Sequence, residues 1–161
     1  MKNQTDVLHK TDLCFMQEAI ELAKDAARMG EVPVGAVLVQ NGEIIARAHN
    51  LRETDKMATA HAELLVIEEA CRKRGDWRLS ECCLYVTMEP CPMCTGAIIN
   101  SRIPRVVYGA KDDAAGCCGS LIDVNLYPFN HKFEVKAGVC REECRRILKD
   151  FFVKKREEKL D

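Results

Sequence analysis

Two short segments, His61-Ala62-Glu63 and Pro90-Cys91-Pro92-Met93-Cys94, constrain the fold of this chain more than any other feature of its sequence. Together they supply one imidazole and two thiols, a ligand set that is typical of zinc. Because three protein ligands leave the fourth tetrahedral position open for water, the set is typical of catalytic rather than structural zinc. We therefore expect a fold that brings residue 61 next to residues 91 and 94, with one catalytic Zn²⁺ per subunit held by His61, Cys91 and Cys94.

Glu63 lies two residues beyond the imidazole and is not needed to bind the metal. A free carboxylate at this position can move protons to and from a water on the metal, so we expect Glu63 to be the catalytic acid and base. The order H-x-E followed by P-C-x-x-C resembles the signature of zinc nucleobase deaminases. Both motifs are predicted at helix N-termini, where the helix dipole favours anionic thiolates.

The C-x-x-C pair is not specific by itself, because structural zinc sites and redox pairs also contain it. No thioredoxin-like pattern that would favour a redox pair accompanies residues 91–94. A structural zinc would need a fourth ligand, for which the sequence offers His49, His131, Cys117, Cys118, Cys140 and Cys144. None of these forms a second C-x-x-C or an H-x-x-x-H spacing, so the sequence favours a catalytic site.

The length of 161 residues suits one domain, which we expect to span residues 1–161 with a polar tail over about 1–10 and a charged tail over about 157–161. No apolar run approaches the roughly 20 residues of a transmembrane helix, and the polar start lacks a signal-peptide core, so we expect a cytoplasmic protein without membrane contact. Ten cysteines do not predict disulfides, because a chain of this length can build its core without them. The formal net charge of −1 means that any RNA contact needs a local basic patch.

Hydrophobic periodicity and turn residues predict a chain that alternates between helices and strands. Helices are predicted over about 12–29, 59–74, 91–100 and 141–155. Strands are predicted over about 34–39, 44–46, 82–87, 105–108 and 133–135. Asn41-Gly42 predicts a tight hairpin, Thr59 is the predicted N-cap of the second helix, and the strand–helix–strand unit over 82–108 predicts parallel pairing. This order favours an α/β fold with helices on both faces of a central sheet.

Similarity to one known family extends well beyond the metal motif. The segments that carry it, besides His61-Ala62-Glu63, are 31–37, 89–98, 101–110 and 129–131. They resemble the bacterial tRNA-specific adenosine deaminase family, and the resemblance runs over about residues 12–156. It implies a three-layer α/β/α sandwich of the cytidine-deaminase type with a mixed five-stranded sheet, and a homodimer. It also implies zinc-dependent hydrolysis of adenosine to inosine, with release of ammonia, at the wobble position of a tRNA anticodon stem-loop, with an arginine tRNA as the expected substrate.

The resemblance assigns substrate-binding roles to four residues near the metal motif. The amide of Asn50 would hydrogen-bond the target base, since its donors and its acceptor suit a purine edge. The backbone of Ala62 would contact the same base from the start of a helix. Val34 and Met88 would form the apolar walls of the pocket.

Three residues in the second half of the chain correspond to family positions near the RNA backbone and the bases that flank the target. They are Asp112, Asn130 and His131. From the residues alone, Asp112 equally suits a loop cap, Asn130 a turn and His131 an ordinary surface position.

The predicted last helix carries a basic stripe that continues through Phe152, formed by Arg141, Arg145, Lys149 and Arg156. Acidic neighbours dilute this stripe, so composition alone favours a salt-bridged surface helix. The resemblance instead implies that Phe152, Lys155 and Arg156 contact the RNA. An alternative is that Phe151 and Phe152 divide the two roles, with one ring in the core and the other against the anticodon stem or loop.

Two departures from the family pattern and two rival functions remain. Met57-Ala58-Thr59 lacks the proline that often precedes this threonine, which only loosens the loop. The vicinal Cys117-Cys118 pair replaces smaller residues, and packing is favoured over a role in oxidation.

A deaminase of guanine, cytosine or a free nucleoside would use the same zinc chemistry, and a non-catalytic RNA-binding module would keep only a structural zinc.

Overall fold

A computed structural model describes residues 4–159 of this chain, with side chains from Thr11 to Lys159. The helices are α1 Gln4–Arg28, α2 Ala62–Arg74, α3 Pro92–Asn100 and α4 Arg141–Glu157. The strands are β1 Gly35–Gln40, β2 Glu43–His49, β3 Cys82–Met88, β4 Arg105–Ala110 and β5 Glu134–Ala137. A short 3-10 turn, Val124–Leu126, precedes β5. Within residues 4–159, none of the helices combines the length and the apolar composition that crossing a membrane requires.

The five strands form one mixed sheet in the order β2-β1-β3-β4-β5. Strand β1 pairs antiparallel with both β2 and β3, and the first of these pairings closes through the hairpin at Asn41-Gly42. Strands β3, β4 and β5 are parallel to one another. The predicted mixed five-stranded sheet and the predicted parallel unit around α3 are therefore confirmed.

Helices cover both faces of the sheet, and each face has its own apolar cluster. One cluster joins Val66 of α2 and Ile98 of α3 to Leu84 and Val86 of β3. The other joins α1 and α4 to Tyr85, which points to the opposite face because successive strand residues alternate. The predicted three-layer α/β/α sandwich is thus confirmed.

Three local predictions differ from the structure. Helix α1 begins at Gln4 rather than near residue 12, so a helix replaces most of the predicted polar tail, of which residues 1–3 lie outside the described part. The apolar residues from which α1 was predicted begin at Leu13, so they located the later turns of the helix and not its start. The N-cap of α2 is His61, with φ −79° and ψ 147°, and not Thr59. Helix α4 runs to Glu157, and residues 160–161 of the predicted charged tail lie outside the described part.

One edge of the sheet collects the segments that carry the motifs. The carboxyl ends of β3 and β4 meet there, because Met88 pairs with Ala110 in the parallel ladder. The antiparallel strand β1 starts at the same edge, since Ala36 pairs with Val86, and β2 ends there, since Gly35 pairs with His49. The loops that follow β2, β3 and β4 therefore surround one site at this edge.

Candidate active site

His61, Cys91 and Cys94 lie together where two helices begin. His61 is the N-cap of α2, Cys91 is the N-cap of α3, and Cys94 is in the first turn of α3. The Nδ1 atom of His61 is 3.7 Å from the Sγ atom of Cys91 and 3.6 Å from that of Cys94, and all ligand atoms lie within 4.8 Å of one another. A tetrahedral zinc, with Zn–S of about 2.3 Å and Zn–N of about 2.0 Å, separates its sulfur and nitrogen ligands by roughly 3.6 Å. The three side chains therefore fit a zinc ion.

The charge on one ligand of this cluster also suits a cation. The hydrogen bond from the Cys94 thiol, together with His61, lowers the pKa of the Cys91 thiol to about 4. The hydrogen bond with Cys91 raises the pKa of the Cys94 thiol, and burial raises it further. The hydrogen bond to Cys91 raises the pKa of His61. One sulfur is thus a thiolate at neutral pH, and thiolate is the form that binds zinc.

No fourth protein ligand joins the triad among the side chains from Thr11 to Lys159. Among the side chains described, His61, Cys91 and Cys94 form the only cluster of three or more potential ligands with metal-binding geometry. His131 instead donates from Nε2 to the carbonyl oxygen of Ile103 at 2.7 Å. The alternative cysteine ligands are free thiols outside this cluster, namely Cys117, Cys118, Cys140 and Cys144. This arrangement favours the catalytic over the structural zinc site.

Glu63 lies in the first turn of α2, two positions after the imidazole, and its side chain is buried. Burial raises the pKa of Glu63 to about 7. A carboxyl group with a pKa near the working pH can both accept and release a proton. The position and the pKa of Glu63 therefore suit the acid–base role predicted for it.

A cavity of about 170 Å³ opens beside the triad and is lined by His61, Glu63 and Cys91. Its walls include all the residues predicted to contact the target base, which are Val34, Asn50, Ala62 and Met88. They also include Asp112, one of the residues predicted to lie near flanking RNA. Five further residues that the sequence did not predict also line the cavity, namely Glu31, Val32, Arg52, Glu53 and Glu89. The fold thus brings these residues together around one cavity, whose wall also carries acidic side chains.

Asn50 is buried and its amide group is oriented by the backbone. Its Nδ2 donates to the carbonyl oxygen of Val32 at 3.3 Å, and its Oδ1 accepts from the backbone N–H of Arg52 at 3.2 Å. An amide has two N–H donors and two acceptor lone pairs, so one donor and one lone pair remain for a ligand. Contact between Asn50 and the target base stays a prediction.

Asp112 caps its own loop and lines the cavity at the same time. Its Oδ1 accepts from the backbone N–H groups of Ala114 and Ala115 at 3.0 Å and 3.1 Å. The loop-cap interpretation of this residue is therefore confirmed. Its contact with RNA stays a prediction.

The other predicted RNA contacts do not line the cavity. Asn130 is exposed and lies on a separate apolar groove, whereas His131 is half-buried. Phe152 is 45% exposed, and Phe151 beside it is half-buried with its ring edge-on at 5.4 Å. Lys155 and Arg156 are exposed, and the ammonium of Lys155 lies 5.8 Å from the centre of the Phe151 ring. Their roles in RNA binding stay predictions.

Comparison with known proteins bears on what this site does. The sequence model of the MafB19-like deaminase family matches residues 10–156. A tRNA-specific adenosine deaminase of Bacillus subtilis (strain 168) is 56% identical over 149 residues, which are 92% of this chain and 92% of the relative. The chain belongs to the tRNA-specific adenosine deaminase family.

Solved structures agree with membership of the tRNA-specific adenosine deaminase family. A chain from a study of A-to-I editing by tRNA:A34 deaminases at the wobble position of transfer RNA is 42% identical, with a TM-score of 0.79. The match covers 83% of this chain and 98% of the other. A guanine deaminase from Bacillus subtilis is also 42% identical, with a TM-score of 0.58 over 61% of this chain and 63% of its own length. The fold therefore also occurs in a guanine deaminase.

Proposed function

We propose that this protein is a zinc-dependent tRNA adenosine deaminase that converts adenosine at the wobble position of an anticodon into inosine. The observation that carries the proposal is the buried Glu63 beside the triad of His61, Cys91 and Cys94. It occurs in a chain that is 56% identical to a tRNA-specific adenosine deaminase over nearly its whole length.

The triad would hold one Zn²⁺, which supplies Lewis acidity and lowers the pKa of water at the site. Glu63 accepts a proton from the attacking water and delivers it to N1 of the purine ring. It then takes the proton of the new hydroxyl group on C6 and passes it to the departing amine, which leaves the C6 carbonyl of inosine. A C6–O bond forms, the bond from C6 to the exocyclic nitrogen breaks, and adenosine plus water gives inosine plus ammonia.

The cavity walls would orient the base. The remaining N–H and lone pair of the Asn50 amide suit the donor and acceptor pattern of a purine edge, and the backbone of Ala62 adds a polar contact from the start of α2. Val34 and Met88 supply apolar surface that excludes water from the ring. An anticodon-loop base is already single-stranded, so moving it into the cavity costs little unstacking energy.

The rest of the RNA would bind outside the cavity. We assign the flanking nucleotides to Asp112, Asn130 and His131, and the stem-loop backbone to Phe152, Lys155 and Arg156. Exposure of the last three side chains supports this assignment, because a chain with a net charge of −1 needs a local basic patch. An arginine tRNA is the proposed substrate, with the chain acting as one cytoplasmic deaminase domain.

The protein is proposed to act as a homodimer. Five large apolar side chains are exposed after the loop that holds Asp112, namely Leu121, Ile122, Leu126, Tyr127 and Phe129. Together with Pro92 and Ile99 of the α3 segment, several of them line a groove of about 460 Å³. Exposed apolar surface of this kind marks protein contacts. Sedimentation at micromolar concentration tests the assignment, and a monomer there would contradict it.

The decisive experiment measures inosine in the anticodon stem-loop of an arginine tRNA with adenosine at the wobble position. A hairpin with guanosine at that position is the matched control, and free guanine, cytosine, cytidine and adenosine are tested beside it by ammonia release. We expect inosine only at the wobble position. Ammonia from a free base alone would instead identify a deaminase like the guanine deaminase that shares this fold. Zinc binding without any turnover would favour the RNA-binding module.

A further inference from the structure

Two buried carboxylates line the cavity without a role in the zinc triad or in proton transfer. The side chains of Glu31 and Glu89 are 0% and 2% exposed. Both contribute to the wall of the cavity that receives the substrate. A buried carboxylate is costly unless hydrogen bonds compensate for its lost hydration, so its partners indicate what it does.

All partners of Glu89 belong to the loop that follows β4. Its Oε1 accepts from the backbone N–H groups of Cys118 and Ser120 at 3.0 Å and 3.1 Å. Its Oε2 accepts from the backbone N–H of Asp112 at 3.1 Å. One carboxylate therefore ties together three amides along a nine-residue loop, 112–120, and fixes the backbone of Asp112 at the cavity wall.

The backbone of loop 112–120 packs so closely against Glu89 that position 116 has no room for a side chain. A Cβ atom at Gly116 would lie 2.4 Å from Cδ and 2.5 Å from Oε2 of Glu89. The same Cβ would lie 2.5 Å from the carbonyl oxygen of Asp112. Gly116 is thus the residue that lets the loop close on the carboxylate.

Glu31 makes a matching set of contacts to the loop that follows β2. Its Oε1 accepts from the backbone N–H of Thr54 at 2.6 Å and from the Thr54 hydroxyl at 2.7 Å. Its Oε2 accepts from the backbone N–H of Glu53 at 3.1 Å. Burial alone would raise the pKa of Glu31, but the hydrogen bonds from Thr54 and Glu53 lower it below its usual range. The acceptor is therefore ionised at neutral pH.

We infer that Glu31 and Glu89 are positioning residues, each of which holds one of the two loops that wall the cavity in the geometry that receives the target nucleoside. The inference rests on the function proposed above, because the nucleoside is the ligand whose binding the loops would govern. A carboxylate accepts at both oxygens, whereas a glutamine would present an NH₂ group to one set of N–H donors. Glu→Gln therefore breaks the contact with little change in size.

The two substitutions serve as controls for each other. Hydrogen–deuterium exchange of the full-length zinc-loaded protein is measured for wild type, Glu31→Gln and Glu89→Gln. Glu89→Gln should speed exchange about tenfold or more at the donors that face the new NH₂ group, which are either Asp112 or the pair Cys118 and Ser120. It should leave the amide of Thr54 unchanged. Glu31→Gln should do the reverse. Equal acceleration in both loops, or none in either, would overturn the inference.

Kinetics on the tRNA stem-loop give the second readout. In both variants kcat/KM should fall about tenfold, mainly through KM, with zinc content equal to that of wild type. Unchanged kcat/KM, or loss of zinc in step with activity, would also overturn the inference. If wild type forms no inosine, the proposed function fails, and the exchange pattern alone then decides whether the carboxylates hold the loops.

Variants on the loop side of the two contacts keep the inference testable if either glutamine variant does not fold. Thr54→Val removes only the hydroxyl that donates to Glu31. Gly116→Ala places a methyl group against Glu89. Each should reproduce the loop-specific exchange of its partner carboxylate, and failure of both to do so would overturn the inference.

Discussion

Arg105 of β4 binds the buried carboxylate of Asp12 in α1 with two parallel hydrogen bonds, Nη1 to Oδ1 at 2.9 Å and Nη2 to Oδ2 at 3.0 Å. Lys136 of β5 donates to Oδ2 at 2.7 Å, and the hydroxyl of Tyr85 in β3 donates to Oδ1 at 2.8 Å. The side chain of Asp12 is only 1% exposed. One carboxylate thus connects the first helix to three parallel strands, of which β3 and β4 lead into loops at the active site.

The Asp12 cluster predicts a loss of stability in acid. Burial opposes ionisation, but the hydrogen bonds from Arg105, Lys136 and Tyr85 lower the pKa of Asp12 from 3.8 to about 2. Because the pKa of Asp12 is lower in the folded than in the unfolded state, its ionised form stabilises the fold fully at pH values above 3.8. This stabilisation is lost as the pH falls from 3.8 toward 2. We expect this group to contribute about 2 kcal/mol at pH 7, measured by urea unfolding from pH 7 to pH 2.

Asp12→Asn and the exposed Asp55→Asn test the assignment of this acid response. Asp12→Asn should lower the free energy of unfolding at pH 7. It should also flatten the dependence of that free energy on pH between pH 4 and pH 2, which is roughly the window between the unfolded-state and folded-state pKa values of Asp12. Asp55→Asn should leave the curve as in wild type, because Asp55 lies in an exposed loop. If Asp12→Asn loses as much unfolding free energy below pH 4 as wild type does, other carboxylates cause the loss of stability in acid.

Glu63→Gln should separate zinc binding from catalysis. The substitution keeps the size of the side chain but removes the group that accepts and releases the proton, so kcat should fall by about 10²–10⁴. Zinc content should stay at one ion per chain, because Glu63 is not among the three clustered ligands. Inosine in the stem-loop and zinc by mass spectrometry are the measurements. Glu69→Gln on the same helix is the control, and comparable loss there would contradict the role of Glu63.

Much of the site could be predicted because its information is local. The spacing within residues 61–63 and 91–94 predicts, without knowledge of the fold, the three side chains that the structure brings together as potential metal ligands. The strand–helix–strand pattern then places Cys91 at a carboxyl edge of the sheet, where the structure has it. The walls at Val34, Asn50 and Met88 came from family resemblance, which periodicity alone does not provide.

The rest depended on contacts between distant parts of the chain. Thr59 has the chemistry of an N-cap, but its carbonyl oxygen accepts from the N–H of His61 at 2.7 Å, and Leu51 donates to Ala60, so the helix begins later. Asp12 reads as a polar helix residue until Arg105, 93 positions away, is placed beside it. Glu31 and Glu89 could only have been noticed as acids next to Val32-Pro33 and Pro90 in otherwise apolar segments.

Gly35 should be indispensable for the packing of α1 on β1. A Cβ atom there would lie 2.0 Å from the carbonyl oxygen of Ala19, 2.6 Å from the amide nitrogen of Ala23 and 2.9 Å from Cβ of Leu22. Because two of these atoms belong to helix backbone, Gly35→Ala should cost about 3 kcal/mol or more of unfolding free energy. The control is Gly96→Ala in α3, where nothing lies within 4 Å of the added Cβ. The free energy of unfolding of Gly96→Ala should rise by up to about 1 kcal/mol. Equal stability of Gly35→Ala and Gly96→Ala would contradict the packing argument.

The last turn of α4 should supply part of the affinity for RNA. Lys155 and Arg156 are exposed, so replacing both with alanine removes two potential phosphate contacts without disturbing the core. Binding of the stem-loop should weaken about tenfold, and the slope of log K against log salt should decrease by about 1 to 2. Arg72→Ala with Lys73→Ala is the matched control, since it removes the same charge at the far end of α2, about 15 Å along the helix from the triad. Fluorescence anisotropy from low to high salt measures both, and an identical salt slope in the two double variants would show that α4 attracts RNA through net charge alone.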